Sequence, residues 1–157
     1  MGSKKSEFMR RAVELSRASM EQGGGPFGAV IVRNGRIIGE GANGVTLHCD
    51  PTAHAEVTAI RRAAANLQDF DLSGCEIYTS CEPCPMCLGA IYWARLDRIY
   101  YANDRQDARE AGFDDSMIYE EISLRPEERF VGMERLPDAG AREVFDLWIA
   151  KEDKTRY

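Results

Sequence analysis

The chain has 157 residues, a length typical of one domain with a sizeable core. Its 44% apolar and 29% charged residues are ordinary for a globular protein and exclude disordered, collagen-like and coiled-coil classes. The net charge of −6 disfavours a nucleic-acid partner, because phosphate backbones are bound by clustered Lys and Arg. The sequence has no apolar run near the ~20 residues of a membrane span and no apolar export signal, so we expect a cytoplasmic protein without membrane contact.

Hydrophobic periodicity predicts alternating helices and strands as far as residue 102. A helix over 7–22 ends at a Gly-Gly-Gly-Pro sequence, and Asn34-Gly35 predicts a β-hairpin. The Asp-Pro-Thr sequence at 50–52 predicts the start of a second helix, and Pro85 that of a third, running to about residue 94. The predicted strands are 27–32, 36–41, 76–80 and 98–102. This alternation indicates an α/β fold with parallel neighbours in the sheet.

The pattern is weaker after residue 102. A turn or short linker is predicted at 136–140, from its Pro, Asp and Gly residues. An apolar stripe at helical spacing follows it, and we expect this helix to pack on the core. The stripe consists of Val144, Phe145, Trp148 and Ile149.

Three of the five cysteines lie within seven residues, which indicates a metal site because export, and hence disulfide pairing, is not expected. His54, Cys84 and Cys87 have the ligand types of zinc and would leave a fourth position for water, as catalytic sites do. Cys84 and Cys87 are i and i+3 at a predicted helix start, where the positive helix end favours thiolate. Glu56 can converge on His54 only if His54 lies in the first turn, since i and i+2 share no helix face.

Spacing alone leaves three alternatives open: a structural zinc site, an iron–sulfur site and no metal at all. Cys81 could act as a fourth ligand beside His54, Cys84 and Cys87, which would close the zinc site and make it structural. The three clustered cysteines also fit part of an iron–sulfur pattern, although Ile91 stands where the fourth Cys would be.

Two segments, His54-Ala55-Glu56 and Pro83-Cys84-Pro85-Met86-Cys87, form the H-x-E…P-C-x-x-C signature of zinc-dependent nucleobase deaminases. The likeness extends over nearly the whole chain and is densest between residues 23 and 116. It includes GGPFGAVIV at 24–32 and AGFDDS at 111–116. Over this length the chain resembles the bacterial guanine deaminases of the cytidine deaminase fold.

The resemblance implies a single deaminase domain over 1–157, built as a three-layer α/β/α sandwich around a five-stranded mixed sheet. It implies that guanine and water give xanthine and ammonia. One Zn²⁺ per subunit would be held by His54, Cys84 and Cys87, and Glu56 would be a proton shuttle rather than a ligand.

The resemblance also implies which residues contact the base. Asp115 would be a second functional carboxylate, since a carboxylate can accept from both N1–H and the 2-amino group of guanine. Asp114, its neighbour, is the alternative. The other implied substrate-binding residues are Asn43, Phe27, Ala55, Trp93 and Tyr157. A turn role for Asn43 and core packing for Phe27 and Trp93 are the structural alternatives.

For assembly, the resemblance implies a homodimer in which the C-terminal segment, about 137–157, crosses to the partner and Tyr157 helps to close the pocket. Because the signature determines the zinc chemistry and not the ring, cytosine, an aminotriazine and tRNA adenosine are alternative substrates. A structural zinc-binding module is the alternative from another class. The presence of Glu56 argues against it, because a structural site has no use for a proton shuttle.

Overall fold

The computed structural model describes residues 3–157, so the first two residues of the predicted domain lie outside it. The described chain forms two compact units, residues 3–115 and residues 116–157. The strands of the first unit are β1 (Gly28–Arg33), β2 (Arg36–Ala42), β3 (Cys75–Cys81) and β4 (Arg98–Asn103). Its helices are α1 (Lys4–Glu21), α2 (Val45–His48), α3 (Ala55–Leu67), α4 (Pro85–Trp93) and α5 (Arg105–Glu110). The second unit contains α6 (Ser116–Ser123), the 3₁₀ turn Pro126–Glu128 and α7 (Ala139–Ala150).

The sheet has the order β2-β1-β3-β4. β1 is antiparallel to both β2 and β3, whereas β3 and β4 are parallel and are connected through α4. The predicted mixed α/β sheet is confirmed, and each predicted strand is found to within one residue at either end. None of the helices in the described chain is both long and apolar enough to cross a membrane.

The expected fifth strand is wrong: the sheet formed by residues 3–157 has four strands. Directly after β4, Asp104 accepts a hydrogen bond from the backbone N–H of Asp107 and starts α5, so the chain enters a helix instead of another strand. Further on, residues 132–138 form neither helix nor strand. This segment contains Pro137, which has no backbone N–H to donate to a sheet.

Helices cover both faces of the sheet because side chains alternate along β1. Ala29 and Ile31 are fully buried in a cluster that includes residues of α3 and α4. Val30 and Val32 point the other way and pack with Tyr78 against α1. The helix, sheet and helix layers of the sandwich are therefore present in the first unit.

The strand register gathers four chain segments at one end of the sheet. Gly28, the first residue of β1, pairs with Ala42, the last residue of β2. Cys81 pairs with Asn103, so the parallel strands β3 and β4 also end together. Because β1 is antiparallel to β3, the start of β1 lies at this same end. The segments just before β1 and just after β2, β3 and β4 therefore lie at the same end of the sheet. Among the candidate residues, these segments carry Phe27, Asn43 and Cys84.

Helix α3 begins at Ala55, so the helix start predicted at 50–52 is displaced. The carboxylate of Asp50 accepts hydrogen bonds from the backbone N–H and the hydroxyl of Thr52, which forms a turn ahead of the helix. His54 is the extended N-cap residue, with φ −71° and ψ 154°, and Glu56 lies in the first turn. This geometry meets the condition for the side chains of His54 and Glu56 to converge.

In the second unit, α7 confirms the helix predicted around the C-terminal apolar stripe. The stripe does not pack in the core of the chain. Phe145 is 66% exposed and Val144 62% exposed, against the expected burial. Exposed apolar surface of this size is typical of a face that another molecule covers.

The close contact between β2 and α3 generates a testable prediction at Gly41. A Cβ on Gly41 would overlap the carbonyl oxygen of Ala55 and lie 2.6 Å from the amide nitrogen of Ala59. We expect Gly41→Ala to lower the free energy of unfolding by about 1–3 kcal/mol, measured by denaturant titration. Gly89→Ala is the matched control, because a Cβ there meets nothing within 4 Å. Equal stability of the two variants would contradict the prediction.

Candidate metal centre and active site

Three side chains converge at the shared end of the sheet. Nδ1 of His54 lies 3.5 Å from Sγ of Cys84 and 3.4 Å from Sγ of Cys87. His54 is placed by the N-cap of α3, Cys84 by the N-cap of α4 and Cys87 by the first turn of α4. The structure thus brings together all three residues that the sequence predicts as metal ligands.

These distances fit zinc. With Zn–S bonds of about 2.3 Å and Zn–N bonds of about 2.0 Å, tetrahedral geometry places nitrogen and sulfur about 3.5 Å apart. Within the described chain, the group of His, Cys, Asp and Glu side chains close enough to hold an ion consists of His54, Cys84 and Cys87, whose ligand atoms lie within 4.8 Å of one another. Three protein ligands are typical of catalytic zinc and leave one coordination position for water.

Cys81 does not join this group. Its side chain is buried and its thiol donates to the backbone carbonyl of Asp104, 3.8 Å away, at the start of α5. Burial, followed by the nearby carboxylates Glu56, Glu82 and Asp115, raises the pKa of the Cys81 thiol to about 11. Both alternatives that need Cys81 as a ligand, the closed zinc site and the iron–sulfur site, are therefore disfavoured.

The pKa values of the two ligand thiols are shifted in opposite directions. Hydrogen bonds, first from Cys87 and then from His54, lower the pKa of Cys84 to about 4. Cys87 has a raised pKa because it interacts with the Cys84 sulfur, and because it is buried beside Glu56. The hydrogen bond with Cys84 also raises the pKa of His54. A divalent cation would replace these shared protons.

Glu56 is buried, with only 6% of its surface exposed. Its Oε2 accepts from the Cys87 thiol at 3.4 Å, and its Oε1 accepts from the hydroxyl of Thr79 at 3.3 Å. Burial raises the pKa of the Glu56 carboxyl. A buried carboxyl group held against a ligand thiol is placed to exchange protons with a molecule bound at the metal.

Asn43 follows β2 and is 7% exposed. Its Oδ1 accepts from the backbone N–H groups of Gly25 at 3.3 Å and Val45 at 3.2 Å. These two donors determine the orientation of the amide, so that Nδ2 is its remaining donor. The hydroxyl of Ser19 also holds the backbone carbonyl of Asn43 at 2.8 Å. Asn43 therefore combines a structural role in its turn with a donor suited to a ligand.

The aromatic candidate, Phe27, contacts the segment that carries the acidic candidates, Asp114 and Asp115. Phe27 is half-buried, packs on the core and meets Phe113 edge-to-face, with ring centroids 4.8 Å apart. Asp115, two residues further on, forms an ion pair with Arg105, at 3.7 Å. Its side chain is 21% exposed, whereas that of Asp114 is 45% exposed and pairs with Arg109. Asp115 is therefore the less exposed of the two carboxylates. It also contributes to the raised pKa of the Cys81 thiol.

The remaining three substrate-binding candidates differ in burial. Ala55 is fully buried between His54 and Glu56 at the start of α3. Trp93 ends α4 and is 70% exposed, so it is not a core residue of this chain. Tyr157 belongs to the second unit and is 73% exposed.

Sequence analysis missed several supporting residues. Thr79 and Ser19 are buried hydroxyls that hydrogen-bond Glu56 and the backbone of Asn43, respectively. Glu82 accepts from the backbone N–H of Arg105 at 3.2 Å and so ties the cysteine loop to α5. The one available signal was a hydroxyl within a predicted buried strand, as at Thr79, because a buried polar group needs a partner.

Comparison with known proteins gives consistent results. Residues 2–103 match the profile of the cytidine and deoxycytidylate deaminase zinc-binding region. Guanine deaminase of Bacillus subtilis (strain 168) is 52% identical over 151 residues, which are 96% of this chain and 97% of that protein. An X-ray structure of guanine deaminase from Bacillus subtilis matches with a TM-score of 0.95 and 51% identity, covering 100% of this chain and 99% of that one.

A second group of relatives is similar over a shorter length. The tRNA-specific adenosine deaminase of Haemophilus influenzae is 44% identical over 102 residues, which are 62% of this chain and 59% of that protein. The similarity to guanine deaminase thus extends through both compact units, whereas this one covers less than two thirds of either protein.

The position of Cys81 generates a prediction about metal content. We expect Cys81→Ala to retain about one zinc per chain, because its sulfur faces Asp104. Cys84→Ala and Cys87→Ala should lose most of their zinc, since each removes one of only three ligands. Metal analysis after dialysis against a weak chelator distinguishes the variants. Loss of zinc from Cys81→Ala, in a protein that remains folded by circular dichroism, would restore the four-ligand site.

Proposed function

Because the chain belongs to the cytidine and deoxycytidylate deaminase zinc-binding family, we propose that it hydrolyses guanine to xanthine and ammonia. The observation that carries this proposal is the buried Glu56 carboxylate held against a three-ligand zinc site. A structural zinc site has no use for such a carboxylate. The similarity to guanine deaminase through both units supports guanine as the substrate.

His54, Cys84 and Cys87 would hold a zinc ion, which as a Lewis acid would lower the pKa of water to about 7. Glu56 accepts the proton of the attacking water and passes it to the ring nitrogen beside the amino-bearing carbon of guanine. Glu56 then transfers the remaining hydroxyl proton to the amine, so that the carbon–nitrogen bond breaks, a carbonyl group forms and ammonia leaves. Such proton transfer contributes about 10²–10⁴-fold to a rate.

Two groups support recognition of the purine edge. Nδ2 of Asn43 is a donor whose direction is set by the bonds to its Oδ1, and guanine offers ring nitrogens and O6 as acceptors. Asp115 is an acceptor for N1–H and the 2-amino group, which are both donors. Phe27 presents a half-buried ring suited to stacking on a base. Ala55, Trp93 and Tyr157 complete the proposed substrate-binding set.

We also propose that the two units act as one deaminase domain and that the protein is a homodimer, with the segment 137–157 exchanged between subunits. The support is the exposed apolar surface of the second unit, since large exposed apolar patches are typical of interfaces. Its exposed large apolar residues are Met117, Ile118, Ile122, Leu124, Phe130, Val131, Met133, Leu136, Val144, Phe145, Leu147, Trp148, Ile149 and Tyr157. A cytoplasmic location is supported by the two cysteine ligands, since thiols persist in reducing compartments.

The proposed reaction predicts ammonia release from guanine by zinc-loaded protein. Guanine is tested beside cytosine, an aminotriazine, adenine and a tRNA, and we expect turnover to be fastest with guanine. Glu56→Gln should lower kcat at least 10²-fold while retaining its zinc, because it removes the proton shuttle and none of the ligands.

Three outcomes separate the possibilities. Turnover of another base with none of guanine would retain the zinc mechanism and overturn the substrate. Glu56→Gln with normal turnover would show that Glu56 is not the shuttle. A zinc-loaded protein inactive on every compound would favour a structural site.

The exchanged C-terminal segment generates a second prediction. Deleting Arg156 and Tyr157 should lower guanine turnover, because the ring that closes the pocket is lost, while the zinc content stays unchanged. Wild-type turnover by the truncated protein would contradict the proposed role of the C-terminus. Ammonia release and metal analysis measure the two quantities.

Complementation tests whether Tyr157 acts across the dimer. The truncated protein keeps Glu56, and the Glu56→Gln variant keeps Tyr157, so a mixed dimer would contain one complete site. Activity of the two variants refolded together should then exceed the sum of their separate activities. No gain from mixing, with dimers shown by light scattering, would assign Tyr157 to its own subunit's site.

A further inference from the structure

Helix α5 carries two arginines that lie four residues apart and therefore on one face. Each pairs with one of two consecutive carboxylates in the turn that follows the helix. Nε of Arg105 lies 3.7 Å from Oδ1 of Asp115, and Nε of Arg109 lies 3.4 Å from Oδ2 of Asp114. The first pair is the less exposed: the side chains of Arg105 and Asp115 are 41% and 21% exposed, against 62% and 45% for the second pair.

Arg105 is also attached to the loop that carries the zinc ligands. Its backbone N–H donates to Oε2 of Glu82 at 3.2 Å, and the backbone N–H of Glu82 donates to the carbonyl of Asn103 at 2.8 Å. The thiol of Cys81 donates to the carbonyl of Asp104. The start of α5 is thus joined to the segment directly before Cys84 by three hydrogen bonds. The guanidinium of Arg105 extends from this attached position to Asp115.

We propose that Arg105 is a positioning residue for the base-contacting carboxylate, Asp115. This inference rests on the proposed function, in which Asp115 accepts hydrogen bonds from guanine. In this proposal the ion pair holds Oδ1 of Asp115, and Oδ2 is the oxygen that accepts from the N1–H and amino edge of the base. Through Arg105 and Glu82, the position of Asp115 is thereby linked to the loop that carries the cysteine ligands.

The charge of Arg105 has a second effect on the same carboxylate. Glu56 and Asp115 are both close enough to Cys81 to affect its thiol, so two negative groups lie in one region of the site. Arg105, paired with Asp115, offsets part of this negative charge, so the two carboxylates can lie in the same region of the site.

The test is a comparison of Arg105→Gln with Arg109→Gln in zinc-loaded enzyme. We expect Arg105→Gln to raise KM for guanine about three- to tenfold with a smaller change in kcat, because it weakens a contact already made by bound substrate. Arg109→Gln removes the equivalent pair from the more exposed Asp114 and should leave both constants unchanged. A purely structural effect of losing Arg105 would lower the amount of active enzyme, and hence kcat, without changing KM.

A double-mutant cycle determines whether Arg105 acts through Asp115. In an Asp115→Asn background, Arg105→Gln should cause no further loss, since the partner carboxylate is already absent. The same cycle is measured as guanine dissociation constants in a Glu56→Gln background, where turnover is blocked. Both measurements use metal-loaded protein of verified zinc content.

The possible failures are distinguishable. If wild-type protein releases ammonia from guanine and Arg105→Gln has an unchanged KM, only this inference is overturned. It is also overturned if Arg109→Gln shows the same defect, or if the loss persists in the Asp115→Asn background. Wild-type protein that neither binds nor deaminates guanine would overturn the proposed function, and this inference with it.

Discussion

The structure depends on one electrostatic arrangement: a carboxylate, two thiols and an imidazole brought into contact at one end of the sheet. Glu56 is buried against Cys87, and both cysteines lie within 3.5 Å of the His54 ring. Negative groups buried together are costly unless a positive charge compensates them. A divalent cation supplies that charge, and the helix N-termini at His54 and Cys84 add the favourable ends of their dipoles.

Strand register makes this arrangement possible. The antiparallel pairs of β1 and the parallel pair of β3 and β4 bring four chain segments to the same end of the sheet. Two helix starts can then approach each other there, because α3 packs on β2 at glycines that leave room for its backbone. Gly39 and Gly41 are both in such contact with α3. His54 lies 30 and 33 residues before Cys84 and Cys87, and the packing of α3 on β2 that positions it involves none of the three ligands.

Around the metal ligands, hydrogen bonds limit what the neighbouring groups can do. The amide oxygen of Asn43 is occupied by two backbone donors, so the side chain can offer a ligand its N–H. Asp115 is held by Arg105 in the turn that also places Phe113 against Phe27. A donor, an acceptor and an aromatic ring are thus supplied by three different segments of the chain. This combination suits a flat heterocycle with both donors and acceptors on its edge.

The metal chemistry can be predicted from the amino-acid sequence alone. The types and spacing of His54, Cys84 and Cys87, with Glu56 two residues from the histidine, identify a zinc deaminase signature, and short-range periodicity predicts the four strands. Other features could not be predicted from the sequence. The helix start at Ala55, the orientation of Cys81 toward Asp104 and the pairing of Arg105 with Asp115 were decided by tertiary structure. The reason is physical: local patterns report which groups are present and which face they share, whereas the direction of a side chain and its partner depend on segments that meet only after the sheet has formed.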